Sequence, residues 1–259
     1  MVAPRRIGIS RLRNQAADGS AWRPRVAAVL LGMLTTSAVQ AQAESTVSPW
    51  SGALGLVSDK VVRGLSQTQG RATLLMDLNY RTDSGWTAGL GFAPLRVGGE
   101  AIKSSTGEVT LSVGRSWQLD ADWAAQLGLA RYLYPDRRQR APVYNYNELS
   151  ASIGWQGRAL ALIAVSPDSY SLYGPGWPQR GRAASVEFSA HQRLAGRLSV
   201  DAGIGYYKLM AGRDTGYRYG SIGLGWGVGA FQLDLTRTVS NATTPQAGGR
   251  WVGSLLWNF

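Results

Sequence analysis

The sequence has no cysteine and a single histidine. The first absence removes disulfides, thiol nucleophiles and Cys-ligated metals, and the second argues against a His-rich metal site. No run of 18 apolar residues occurs, which excludes a transmembrane helix. It leaves open a membrane β-barrel, whose strands are short and apolar only at alternate residues. Charged residues are scarce, 17% against 44% hydrophobic, and no long Lys/Glu tract is present, which disfavours disorder and coiled coil. What is abundant is glycine and large aromatics, 33 Gly, 10 Trp and 11 Tyr in 259 residues, a length that fits one large all-β domain.

The N-terminus reads as an export signal. Arg23 and Arg25 precede an apolar stretch from Val26 to Val39, followed by small-residue cleavage patterns ending at Ala41 or Ala43. This gives a signal segment over 1–43, longer than usual at its start, and a mature domain over 44–259. Residues 1–43 hold six Arg and one Asp, so the net charge of +11 falls to 21 bases minus 15 acids, or +6, in the mature part. Those bases are scattered over loops of an exported chain, which argues against a nucleic-acid partner.

From Trp50 onward the apolar pattern has period 2 in segments of about ten residues, the length of a tilted membrane strand. Leu74, Met76, Leu78 and Tyr80 share one face while Thr73, Leu75, Asp77, Asn79 and Arg81 share the other. Val186, Phe188 and Ala190 alternate with Glu187, Ser189 and His191 in the same way, and Leu198, Val200, Ala202 and Ile204 with Ser199, Asp201 and Gly203. Twelve such segments begin near Trp50, Arg71, Trp86, Glu108, Trp123, Asn147, Ala159, Ala183, Leu198, Tyr217, Ala230 and Arg250. Tight turns such as Thr82-Asp83-Ser84-Gly85 and Gln156-Gly157-Arg158 alternate with longer loops around 66–70, 94–107, 135–146, 167–182, 210–216 and 241–249. Short turns at one end and long loops at the other predict an all-β, up-and-down antiparallel transmembrane β-barrel of about 12 strands in a bacterial outer membrane.

The aromatics sort by end. Trp50, Trp86, Trp117, Trp123, Trp155, Trp226 and Trp257 fall beside tight turns or chain termini, whereas every Tyr but Tyr80 falls at or in the long loops. This predicts two aromatic belts at the two membrane interfaces. At the C-terminus Trp251, Leu255, Trp257 and Phe259 share one face, and a terminal Phe after alternating apolar residues resembles the signal read by the barrel-assembly machinery of Gram-negative bacteria.

Ser58-Asp59-Lys60-Val61-Val62-Arg63-Gly64-Leu65-Ser66-Gln67 resembles the first-strand signature of the TorF-like family of bacterial outer-membrane porins, commonly S-D-Y-x-F-R-G-x-S-Q. Leu74 to Tyr80 with Ser84-Gly85-Trp86 resembles that family's second hairpin; Lys60 and Val62 replace its usual aromatics. The resemblance implies an outer-membrane barrel and transport, without naming a solute. Taken as a strand, the signature puts Asp59 and Arg63 on one face, about 13 Å apart, so that each pairs with a neighbouring strand rather than with the other. Lys60 then falls on the lipid face, at a cost of about 2–4 kcal/mol at the midplane, which predicts a bulge or an interfacial position.

Carried through the chain, the alternation lines the lumen with Asp59, Arg63, Arg71, Asp77, Glu108, Glu148, Glu187, His191, Asp201 and Asp234, of which Asp59, Arg63, Asp77, Glu187, Asp201 and Asp234 are expected to set selectivity. Twelve strands about 4.8 Å apart and tilted about 40° give a backbone radius of roughly 12 Å, and inward side chains reduce that to a few ångströms or close it. Ions and small solutes are the expected cargo, with no cofactor and no metal. The loop Asp168 to Arg182 offers Tyr170, Tyr173 and Trp177 for a constriction or a ligand at the mouth. Arg137, Arg138, Arg140, Arg180 and Arg182 on outer loops suit lipopolysaccharide phosphates.

Two alternatives to a passive channel remain: a closed barrel acting as a structural protein or receptor through its loops, and a lipid-modifying enzyme. The enzyme rests on Glu187-x-Ser189-x-His191. Those residues fall towards the tight-turn end and face the lumen, where a lipase needs them facing lipid near the outer leaflet, so the expectation is no enzyme.

Overall fold

A computed structural model describes residues 48–95, 107–135, 145–171, 179–210 and 215–259. The expected export segment, 1–43, lies outside them. Twelve strands close into an antiparallel barrel: β1 (Trp50–Val57), β4 (Thr73–Arg81), β5 (Trp86–Ala93), β6 (Glu108–Gln118), β7 (Trp123–Leu133), β8 (Tyr146–Trp155), β9 (Ala159–Ser171), β10 (Gln179–Arg193), β11 (Leu198–Met210), β12 (Thr215–Val228), β13 (Phe231–Ser240) and β14 (Arg250–Asn258). Each strand pairs with its sequence neighbours, and β1 pairs with β14 from Ala53↔Asn258 to Val57↔Ser254. Phe259 extends that seam, its backbone N–H donating to Gly52 O at 3.0 Å and its carbonyl accepting from Gly52 N at 2.9 Å. Closure leaves no edge strand, which is what allows a sheet to sit in hydrocarbon.

The period-2 pattern decides which side of the wall each residue faces. Leu74, Met76, Leu78 and Tyr80 point outward and are exposed, as are Val186 and Phe188 on β10 and Ile204, 68% exposed, on β11. The polar members of those strands point inward and are half-buried or buried. The molecule is thus apolar outside and polar inside. Its buried apolar core is small, Val57, Leu75, Ala93 and Leu95 with Tyr134 packed against them. Such an inversion suits a hydrocarbon surround rather than water.

The expected first strand is corrected by the structure. β1 stops at Val57, and residues 58–72 fold inward, with a two-stranded hairpin of β2 (Val61–Val62) and β3 (Leu65–Ser66), paired Val61↔Ser66 and Val62↔Leu65. Arg63 and Gly64 form its tip with φ of 49° and 74°. Positive φ at both central residues is what a two-residue type I′ hairpin demands. Lys60 accordingly faces the interior instead of lipid.

Candidate functional site

The inward hairpin and the wall around it form a densely charged, buried cluster. Its base is knitted by Asp59, whose Oδ1 accepts from Ser66 Oγ at 2.6 Å and Thr68 Oγ1 at 2.8 Å. The Thr68 hydroxyl also accepts from Lys60 N at 3.0 Å, and Gln67 N donates to Lys60 O at 2.7 Å. Ser58 anchors the segment to β14 by exchanging hydrogen bonds with the Gly253 backbone. The Ser, Asp and second Ser of the signature therefore shape a turn, and its Arg-Gly pair is the turn's tip.

Three cations and four carboxylates meet there. Arg63, 8% exposed, donates from Nη2 to Glu148 Oε2 on β8 at 2.8 Å and from Nε to Glu187 Oε1 on β10 at 3.3 Å. Lys60 Nζ lies 2.6 Å from Glu108 Oε1 on β6, while Glu108 Oε2 accepts from Tyr134 Oη at 2.7 Å. Arg250 Nη1 approaches Asp59 Oδ2 at 3.6 Å. One short hairpin thus ties β6, β8, β10 and β14 together across the interior. Buried charges persist only when paired, and loss of one partner from such a pair costs about 3–5 kcal/mol.

Tyrosines collar this cluster. Tyr132 and Tyr146 stack with centroids 4.4 Å apart and Tyr134 lies 6.3 Å from Tyr146. Across the interior Tyr207, Tyr217 and Tyr219 follow one another at 5.4 and 6.0 Å, and the Arg63 guanidinium sits 5.4 Å from the Tyr207 centroid. This corrects the expected tyrosine belt: at the long-loop end most of these rings turn inward, and the hydroxyls of Tyr134 and Tyr207 bond to Glu108 and Ser169 there. Among the described tyrosines there, Tyr206 is the one exposed on the outer face. The tryptophan belt stands, with Trp50, Trp86, Trp117, Trp123, Trp155, Trp226 and Trp257 all exposed at the tight-turn end.

Towards the tight turns the interior loosens. Asn79, Thr87, Ala88, Ser112, Val113, Gln126 and Leu162 border a narrow cavity of mixed polar and apolar lining. On the other wall His191 Nδ1 lies 2.8 Å from Asp201 Oδ1, and Asp234 accepts from Gln232 Nε2 at 2.8 Å and Ser254 Oγ at 3.0 Å. Ser189 faces the interior beside His191, but no hydrogen bond joins the two among the described residues, so the acid, base and nucleophile are not linked as a relay.

Of the residues expected to line the lumen, Asp77, Glu108, Glu148, Glu187, His191, Asp201 and Asp234 stand on inward positions of barrel strands, and Asp59 and Arg63 arrive from the hairpin. Arg71 does not: it is exposed in the turn before β4, its N–H bonded to Thr68 O at 3.2 Å. The expected loop from Asp168 to Arg182 is shorter than expected, because β9 continues to Ser171 and β10 starts at Gln179. Tyr170 is therefore a strand residue. Asp168 accepts from Asn147 N at 2.8 Å and Arg180 Nη2 at 3.3 Å, and Arg182 is exposed on β10. Tyr173, Trp177, Arg137, Arg138 and Arg140 lie outside the described residues. The sequence pattern leaves the tyrosines of the collar, Lys60, Arg250 and Gly64 out of the lining. Among the described residues no group of three or more His, Asp or Glu could hold a metal ion.

Solved membrane barrels share this architecture. A chain from work on the in-meso crystallization of membrane proteins is similar with a TM-score of 0.53 and 8% identity over 81% of this chain and 83% of that one. The KdgM porin is similar with a TM-score of 0.52 and 7% identity over 81% of this chain and 99% of that one. At such identities the likeness is one of fold alone. A search of curated proteins brings no match. The match that sets the protein among its relatives is one of sequence, over residues 40–246, and by it the chain belongs to the bacterial protein family of unknown function designated Gcw_chp.

Proposed function

We propose that the protein is a bacterial outer-membrane channel for ions or small solutes, narrowed by its own 58–72 segment. The observation that carries this reading is the inversion of the wall: an apolar exterior with a tryptophan girdle surrounds an interior lined by ionised and hydroxyl side chains. Water and solute need such a lining, whereas a barrel that served only as a scaffold could be filled with apolar side chains. The fold shared with the KdgM porin and the TorF-like signature support it. In this reading the selectivity groups are Asp77, Asp201 and Asp234 below the hairpin. The basic rim, including Arg180 and Arg182, faces lipopolysaccharide phosphates, and Phe259 serves assembly.

A second reading has its own observation. The hairpin and the tyrosine collar fill the interior near the long loops, which favours a closed barrel acting through those loops. Planar-bilayer recording of the refolded protein under a salt gradient separates the two. A channel shows small discrete steps, a shift of reversal potential in Asp77→Asn, and severalfold larger steps when residues 61–66 are replaced by a Gly-Gly link. Silence of both the intact and the hairpin-deleted barrel, with folding verified by heat-modifiable migration, overturns the channel.

A further inference from the structure

The hairpin tip places a guanidinium in a chamber built almost wholly by other strands. Glu148 on β8 and Glu187 on β10 supply carboxylates, at 2.8 and 3.3 Å, from two sides of the Arg63 guanidinium. Tyr207 on β11 presents its ring at 5.4 Å. Carboxylates bonded to the N–H edge and an aromatic ring nearby are the recognition pattern of a delocalised, weakly hydrated organic cation. The wall residues would keep that pattern if the hairpin withdrew, because strand pairing and not the hairpin sets their positions.

We infer that this chamber is a binding site for small organic cations, guanidinium compounds first, and that Arg63 is the chain's own occupant of it. The inference names a substrate class for the proposed channel and rests on that reading for transport, though not for binding. Anions are refused by Glu148 and Glu187. Calcium and magnesium are poorly served, because they take six or more oxygens and the chamber offers rings in place of most of them.

The seating of the hairpin makes its occupant displaceable. Arg63 holds a left-handed φ of 49°, which a side-chain-bearing residue adopts only under constraint. Along the seam between the hairpin and the β13–β14 connection, Gln67 Oε1, Thr244 Oγ1, Gln246 Oε1 and Arg250 Nε are buried without a hydrogen-bond partner among the described residues, as is Asp59 Oδ2, which lies 3.6 Å from Arg250 Nη1. Buried polar atoms without a partner are costly. The hairpin is therefore held by charged contacts at Lys60 and Arg63, and along the opposite seam by a backbone bond from Ser66 N to Gln246 O at 3.1 Å set among these unpaired side-chain atoms. A free guanidinium that takes over Glu148 and Glu187 frees the Arg63 tip, while the Lys60–Glu108 pair and the Ser66–Gln246 bond keep the base of the hairpin in place.

The test uses methylguanidinium chloride at millimolar concentration, with tetramethylammonium chloride as a cation lacking N–H donors. Calorimetry on refolded Arg63→Ala is expected to show saturable methylguanidinium binding at least tenfold tighter than to the unaltered protein or than that of tetramethylammonium. Glu148→Gln added to Arg63→Ala is expected to remove it. Equal, weak heats from both cations, or binding that survives Glu148→Gln, overturns the site. Should Arg63→Ala fail to show heat-modifiable migration, Arg63→Lys keeps a charge in the chamber while losing the fork, and the same preference for methylguanidinium over tetramethylammonium is required of it. Recording in bilayers separates this proposal from the channel: binding without current keeps the site and removes the channel, and current without binding does the reverse.

Discussion

Two sets of amphipathic rings, at opposite ends of one barrel, stand on opposite sides of its wall. The tryptophans near the tight turns point outward; Trp86 and Trp117 flank Arg115, whose guanidinium lies 5.4 Å from each ring. The tyrosines near the long loops mostly point inward, Tyr132 and Tyr219 being only 7% and 5% exposed, and surround Arg63. An indole N–H is a lone donor and sits well at the headgroup level, where water or phosphate takes it. A phenol both donates and accepts, so it can be buried beside carboxylates and hydroxyls, as Tyr134 is beside Glu108 and Tyr207 beside Ser169. One set holds the barrel in its membrane; the other holds an internal segment in the barrel.

The inner set should be far more sensitive to loss of charge than the outer set is to loss of a ring. Glu148→Ala leaves Arg63 buried with only the longer, more exposed Glu187 contact, at 3.3 Å. The expected loss is about 3–5 kcal/mol, measured by urea unfolding of the refolded barrel in detergent, reduced to the extent that the hairpin swings out and hydrates its arginine. A loss below 1 kcal/mol would mean that Arg63 is already free in solution.

Gly64→Val comes next in size. A β-carbon there would stand 2.7 Å from Tyr219 Cβ and 2.8 Å from Ser240 Cβ, at a φ of +74° that a β-branched residue resists. The expected cost is about 2–3 kcal/mol. If the hairpin rather than the wall gives way, single-channel conductance in this variant rises towards that of the hairpin-deleted barrel; unchanged conductance with lower stability would show that the wall yields.

Most of the wall was legible because parity is redundant: each strand repeats the same in-out decision four or more times, so strands as short as β5 still disclose their lipid face. The strand starts agree within a few residues with those expected, Gln179 against Ala183 being the largest gap and Thr73 against Arg71 and Thr215 against Tyr217 the next. The hairpin was not legible by parity, since Val61 to Ser66 is too short to show a period, and the segment passed as an extension of β1. A local signal was there: Val-Val-Arg-Gly-Leu-Ser puts apolar residues around an X-Gly pair, the chemistry of a two-residue turn. The tyrosine collar failed differently. The end of a strand that a tyrosine occupies does not fix its side of the wall, whereas the alternation continued from Ile204 sends Tyr206 outward and Tyr207 inward. Pairing between remote charges, such as Lys60 with Glu108, depends on how deep the hairpin enters, which no spacing encodes.

At the outer girdle, Trp86→Ala removes one ring of the Arg115 contact and a large part of an interfacial side chain. The expected cost is about 1–2 kcal/mol, with conductance and any cation binding unchanged. A change in either would couple the two regions and break the comparison.

The smallest expected effect tests the comparison at a spacing of one residue. Tyr206 and Tyr207 are neighbours on β11, the first 40% exposed on the outer face, the second inward with its hydroxyl 3.1 Å from Ser169 Oγ and its ring against Arg63. Tyr207→Phe is expected to cost about 1 kcal/mol, since the buried Ser169 hydroxyl loses its partner while the ring remains for the guanidinium. Tyr206→Phe removes a hydroxyl that water or headgroups already satisfy and is expected to stay within about 0.5 kcal/mol. The same chemical change, one residue apart, then differs only by the side of the wall. Equal effects would mean that the inner hydroxyls are as wet as the outer ones, and that the hairpin does not seal the long-loop half of the interior.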